Sequence, residues 1–157
     1  MAIEKVKEYL KTYGKDQDVL EFNESSATVE LAAQAVGVEP ARIAKTMSFC
    51  TKEDGGCILV VTAGDMKIDN SKFKGTFGFK AKMPKGEDVE ARTGHAIGGV
   101  CPFANPEHTA VYLDESLKRF PTVFPAAGSG SSAIEMTCDE LETISHAASW
   151  VDVCKQV

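Results

Sequence analysis

Residues 94–103, Gly-His-Ala-Ile-Gly-Gly-Val-Cys-Pro-Phe, combine conformational freedom with a conformational lock. Gly94, Gly98 and Gly99 allow positive φ and a close backbone approach to a ligand, and Pro102 then fixes φ and removes a donor. Such a loop can aim several N–H groups at one point, which is how proteins bind anions and stabilise oxyanions without charged side chains. The same spacing also describes a tight turn between strands, the commoner use of Gly-Gly followed by X-Pro. It is no nucleotide fingerprint: the chain has no GxxxxGK[ST], and no GxGxxG between a strand and a helix.

Other side chains offer competing chemistry. Cys101 lies near His95 in sequence, a pairing open to a thiolate nucleophile with a histidine base, although no third residue to orient His95 is evident. Ser129, Ser131 and Ser132 follow Gly128 without the strand-turn-helix context of a GxSxG nucleophile, so they read as a flexible loop. Lys45 is a lone cation at the start of Lys-Thr-Met-Ser-Phe, where an arbitrary lysine would pair with a surface carboxylate. The five cysteines include no CxxC pair, and His95, His108 and His146 lack metal-ligand spacing. Reduced thiols, no metal and no cofactor are therefore expected.

The elements that must position these groups form one expected domain spanning residues 1–157, since 43% hydrophobic and 25% charged residues suit a core of ordinary size. No apolar run reaches the ~18 residues that cross a bilayer, and Glu4, Lys5, Lys7 and Glu8 are unlike a secretory leader, so a cytoplasmic protein without a membrane partner is expected. A net charge of −6 argues against general nucleic-acid binding, and DNA is not an expected partner. Yet Lys67, Lys72, Lys74, Lys80, Lys82 and Lys85 face only Asp69 in their stretch, a solvated surface or a patch able to dock one end of a polyanion.

Apolar positions at Ile3, Val6, Tyr9, Leu10 and Tyr13 predict an amphipathic helix stopped by Gly14, and residues 19–22 a short strand. Ser25, Ser26 and Thr28 offer N-cap oxygens for a helix from Val29 to Val36 that ends at Gly37. Pro40 starts a helical turn leading into a strand at Lys45, and the buried run 57–61 pairs with it as a hairpin. Helices over 70–77, 87–92, 115–120 and 139–144 and strands over 111–113, 122–124, 133–136 and 150–153 complete the chain. Without regular βαβ alternation, the expected class is α+β with a curled, mostly antiparallel mixed sheet flanked by helices.

Three segments carry a resemblance. Lys45-Thr46-Met47 is similar to a Lys-Thr-Leu motif, residues 93–103 to a Thr-Gly-X-X-X-Gly-Gly-X-X-Pro loop, and Ala127-Gly128 with residues 133–136 to a third segment of the YbaK/EbsC family of aminoacyl-tRNA deacylases. That family is related to the editing domain of prolyl-tRNA synthetase, and the likeness spans roughly residues 19–144. It implies a hydrolase that cuts the ester between a wrong amino acid, such as Ala or Cys, and the terminal adenosine of proline tRNA. Its implied partners are the acceptor end of mischarged tRNA and prolyl-tRNA synthetase.

The resemblance makes Lys45 the essential cation and the amides from Gly98 and Gly99 to Cys101 the cradle of the tetrahedral intermediate, with water or a substrate group attacking. Phe22, Thr46, His95, Val100, Cys101, Pro102, Gly128 and Ser129 fall where substrate contacts are implied. Some members carry an acidic residue where this chain has Ala133 and a basic pair at Ser129 and Gly130, so a less polar pocket is expected here. The competing readings are a non-catalytic tRNA-end or regulatory module and a Cys101-dependent thiol hydrolase.

Overall fold

The structure is a computed structural model that describes residues 2–53 and 55–157. Its helices are α1 (Ala2–Lys11), α2 (Val29–Val36), α3 (Asn70–Phe77), α4 (Val89–Thr93) and α5 (Cys138–Ser145). Its strands are β1 (Leu20–Glu21), β2 (Ile43–Cys50), β3 (Cys57–Ala63), β4 (Met66–Ile68), β5 (Ala110–Asp114), β6 (Phe124–Pro125), β7 (Ser132–Ala133), β8 (Ser149–Val151) and β9 (Cys154–Gln156).

Capping sets the helix ends where the sequence placed them. Thr28 accepts from the Leu31 amide and Gly37 closes α2 at φ 77°, while Asp69 accepts from the Ser71 and Lys72 amides and Gly78 closes α3 at φ 80°. Residues 115–119 form a 3₁₀ turn, with the Asp114 carboxylate accepting from the Ser116 amide.

A five-stranded sheet runs β6-β2-β3-β5-β8, and every residue of its central strand β3 is buried. β2 and β3 form the expected hairpin, in register from Ala44 opposite Ala63 to Cys50 opposite Cys57. The α+β class and mixed sheet are as read from the sequence, but the mostly antiparallel character is not. The pairs β2-β6, β3-β5 and β5-β8 are all parallel, so antiparallel pairing in this sheet is confined to the hairpin. The long crossover from β3 to β5 contains α3 and α4, enough chain to return to the same end of the sheet.

Side-chain alternation gives the sheet two buried faces. Ala44 of β2 joins Leu59, Val61 and Ala63 of β3 beneath Val6 and Leu10 of α1 and Leu141 and Ile144 of α5. Met47 and Phe49 join Ile58 and Val60 on the other face, covered by Phe73, Phe77 and Phe79. Those rings stack at 4.7–6.1 Å in tilted and edge-on geometries and lock α3 to that face.

Candidate active site

β2 is paired on both sides only at its start. β6 pairs with Ile43 and Ala44 alone, and beyond them the outer edge of β2 faces a cavity of about 250 Å³. Six consecutive residues, 43–48, line that cavity. Because strand side chains alternate, an unbroken run means the strand presents its edge as well as its side chains. Thr28 and Val29 bring the N-terminal turn of α2, with its partial positive charge, to the same space. Ala32, Phe124, Ala126 and Ala133 supply apolar wall, and Met83 and Ile97, 60% and 70% exposed, stand at the rim.

Of the residues singled out in the sequence, Lys45, Thr46, Gly98 and Val100 meet in this cavity. Lys45 lies on the Met47/Phe49 side of β2, opposite Thr62, and its ammonium donates to the carbonyl of Met66. Burial lowers its pKa from the ordinary lysine value, against the raising influence of neighbouring acidic groups. It forms no ion pair with any described residue, since nearby Asp65 is held by Arg119 at 2.6 and 3.0 Å. Thr46 lies on the opposite side of the strand, and its buried Oγ1 has no hydrogen-bond partner among the described residues. A hydroxyl orphaned beside a cavity is the group a bound ligand would satisfy.

The glycine loop is fastened from within. Gly94 ends α4 at φ 85°, and Asn105 Nδ2 donates to the carbonyls of Thr93 and Cys101 at 2.8 and 3.0 Å. Gly98 adopts φ 92° and lies beside Ala27. Its amide and that of Val100 engage no described residue and are free to point at a ligand. Gly99 departs from the expected cradle, because its amide donates to the Ala96 carbonyl at 3.0 Å. Its contribution is steric: a Cβ there would stand 2.9 Å from Ser129 Cα and 3.0 Å from Gly128 C. The two glycine loops thus interlock backbone to backbone.

The remaining residues lie outside the cavity lining. Gly128 takes φ 99° and backs onto Ala2 and Val6 of α1, while Ser129 Oγ donates to Ser132 Oγ at 2.8 Å. Phe22 is half-buried, with its amide on the Ser131 carbonyl. Pro102 faces a separate groove beside Tyr9 and His146.

His95 and Cys101 are core. Both are fully buried, and His95 Nε2 donates to the Phe103 carbonyl at 2.7 Å. That bond puts the ring proton on Nε2, the nitrogen 3.4 Å from Cys101 Sγ, so no lone pair faces the thiol. Burial lowers the pKa of His95 and pushes the Cys101 thiol up to about 12. This geometry removes the basis for a thiol nucleophile. What the sequence reading missed is the free edge of β2, the α2 terminus as cavity wall, and Met83 at the rim. The N-cap residues before α2 were the only available signal, and they were legible only as caps.

Comparison with known proteins adds a second line of observation. Residues 23–144 match the aminoacyl-tRNA editing domain family, a span that includes Lys45 and both glycine loops. The chain belongs to this family. As a member it is an aminoacyl-tRNA deacylase of the YbaK/EbsC kind that the three segments resembled. It is 52% identical over 155 residues to YwhH of Bacillus subtilis, covering 99% of this chain and 98% of that protein. EbsC of Enterococcus faecalis, named as a candidate Cys-tRNA(Pro)/Cys-tRNA(Cys) deacylase, is 25% identical over 126 residues, 80% of this chain and 76% of EbsC. A solved structure described as a candidate trans-editing enzyme for prolyl tRNA synthetase superposes with a TM-score of 0.87 at 31% identity, covering 98% of this chain and 97% of that one. Among the described residues no His, Cys, Asp or Glu cluster could hold a metal ion, and no helix is long and apolar enough to cross a membrane.

Proposed function

We propose that this deacylase hydrolyses the ester joining alanine or cysteine to the terminal adenosine of mischarged proline tRNA. The observation that carries the reading is the convergence of Lys45, the orphaned Thr46 hydroxyl and the free amides of Gly98 and Val100 on one cavity with largely apolar walls. A space of about 250 Å³ suits a small side chain, and the lack of charge at Ala133 suits one that is uncharged. Similarity to a protein named for Cys-tRNA(Pro) and to another named for prolyl-tRNA synthetase supports the choice of tRNA.

In this reading Lys45 leaves the Met66 carbonyl when substrate binds and holds an oxygen of the ester or the adenosine. The Gly98 and Val100 amides meet the charge that develops on the carbonyl oxygen, in a site where water is displaced and such donors count most. Attack comes from water or from a substrate hydroxyl or side chain, so no protein nucleophile is used. The mischarged substrate, and prolyl-tRNA synthetase as its source, are the partners, and the setting is the cytoplasm.

The test is a panel of mischarged tRNAs, including Ala and Cys on proline tRNA, with wild type and Lys45→Ala of verified fold. Wild type should release both amino acids, and Lys45→Ala should lose about 100-fold or more in kcat/KM, the scale of losing one transition-state contact. Full activity in Lys45→Ala, or binding without turnover across the panel, would overturn the reading.

A further inference from the structure

The site leaves one charged surface without a role. The layer covering the Met47/Phe49 face of the sheet includes α3, residues 79–81 and Met66 and Ile68 of β4. Its exposed positions carry Lys67, Lys74 and Lys80, and Lys82 and Lys85 follow directly along the chain. None of these five makes an ion pair with a described residue, although the chain holds 23 acidic residues against 17 lysines and arginines. Lys72 alone is engaged, by Asp152 at 3.1 Å and the Cys154 carbonyl at 2.9 Å. Lys67 stands directly opposite Lys155 in the β4-β9 ladder, a like-charge pair that costs stability. Unpaired cations gathered on one surface of an acidic protein give that surface a positive field that favours an anionic partner.

Position decides which anion. Between α3 and the next segment lies a cleft of about 420 Å³ lined by Asn70, Ser71, Lys74, Lys80 and Ala81. The chain then runs past Lys82, whose carbonyl accepts from the Cys50 amide at the end of β2, to Met83 at the rim of the catalytic cavity. Cations spaced along a path that ends at the cavity suit a polyanion whose terminus is the substrate.

We propose that this surface docks the phosphate backbone of the RNA whose 3′ end occupies the cavity, with Lys74 and Lys80 holding one phosphate in the cleft and Lys82 and Lys85 the phosphates nearer the rim. The proposal rests on the deacylase reading and specifies how that enzyme holds its substrate.

The experiment compares wild type, a Lys74→Gln/Lys80→Gln/Lys82→Gln variant and, as a control on a different surface, Lys118→Gln, whose ammonium lies over Trp150. Binding of uncharged proline tRNA is measured against potassium chloride concentration, and deacylation is measured on alanyl-tRNA and on 3′-alanyl-adenosine, which carries no phosphate. Each lost phosphate contact removes about 0.7–0.9 from the slope of log affinity on log salt, so the triple variant, which releases the cleft phosphate and one nearer the rim, should lose about 1.4–1.8. Its tRNA affinity should fall about 10- to 100-fold near 0.1 M salt, while turnover of alanyl-adenosine, which has no phosphate for these lysines to hold, stays within about twofold. Lys118→Gln should match wild type throughout.

Unchanged affinity and slope in the triple variant would overturn the proposal, as would equal losses on tRNA and alanyl-adenosine, which would mark damage to the cavity. Competition by polyglutamate as effective as by tRNA would also overturn it in favour of an acidic protein partner. If wild type cleaves neither ester, the deacylase reading fails on its own, and the affinity measurement still decides the surface.

Discussion

Replacing Gly99 by alanine isolates the contact between the two glycine loops. The residue takes no positive φ, so alanine carries no dihedral penalty, and the whole cost is overlap. The new Cβ would sit 2.9 Å from Ser129 Cα, 3.0 Å from Ser129 N and 3.0 Å from Gly128 C, all backbone atoms that cannot rotate aside. Carbon contacts relax at about 3.5–4.0 Å, so the loops must part by about 0.5–1 Å. Overpacking of this kind costs about 1–3 kcal/mol, or a fall in Tm of about 2–12 °C at about 2–4 °C per kcal/mol. The same displacement moves the Gly98 and Val100 amides off the carbonyl oxygen they are proposed to meet, and an error approaching 1 Å costs up to about 100-fold in rate. Gly14→Ala is the matched control: its φ of 70° makes alanine strained, but nothing lies within 4 Å and the cavity is remote. Thermal melts and kcat/KM on alanyl-tRNA should show both variants destabilised and only Gly99→Ala losing about 10- to 100-fold in activity. Equal activity in the two would refute the claim that loop contact positions the amides.

Two residues of the core give three further outcomes. His95 is buried with its pKa lowered, so the unfolded chain binds the proton more readily. Its contribution to stability should be complete above about pH 6.5 and decline as pH falls toward the lower folded value. His95→Gln, which keeps a donor for the Phe103 carbonyl, should flatten the wild-type fall in Tm between about pH 7.5 and 5.5. Cys101, fully buried with its thiol pushed up to about 12, should resist iodoacetamide in the folded protein while half-buried Cys50 and Cys138 react. Cys101→Ala should keep kcat/KM within about twofold, since the thiol takes no part in the proposed step.

What was legible in the sequence was what local chemistry decides. α2 and α3 span the residues read as helical, because Thr28, one of the three expected cap oxygens of α2, and Asp69, not read as a cap, accept from first-turn amides and Gly37 and Gly78 take positive φ. β3 was readable as buried on both faces from its unbroken apolar run. The parallel pairing of β3 with β5 was not readable, since it depends on where a long crossover returns the chain. β4 and β9 have three residues each, too few to show a period. Lys45 and the Gly98 loop were picked out through motif text, but the role of Gly99 depends on a contact with Ser129 that leaves no local mark. His95 and Cys101 looked reactive because residue type says nothing of burial, and the network from Thr93 to Asn105 turns both inward.

The interlock of Gly99 with Ser129 also has a meaning for the order of synthesis. The cavity draws its walls from residues as far apart as Ser26 and Ala133, and its amides are set by a loop emerging well after their own. A nascent chain that stops short of Ser129 holds Lys45 and the whole first glycine loop, yet has nothing to brace that loop against. Competence to proofread therefore arrives late on the ribosome, and partial chains carry the motif without the enzyme.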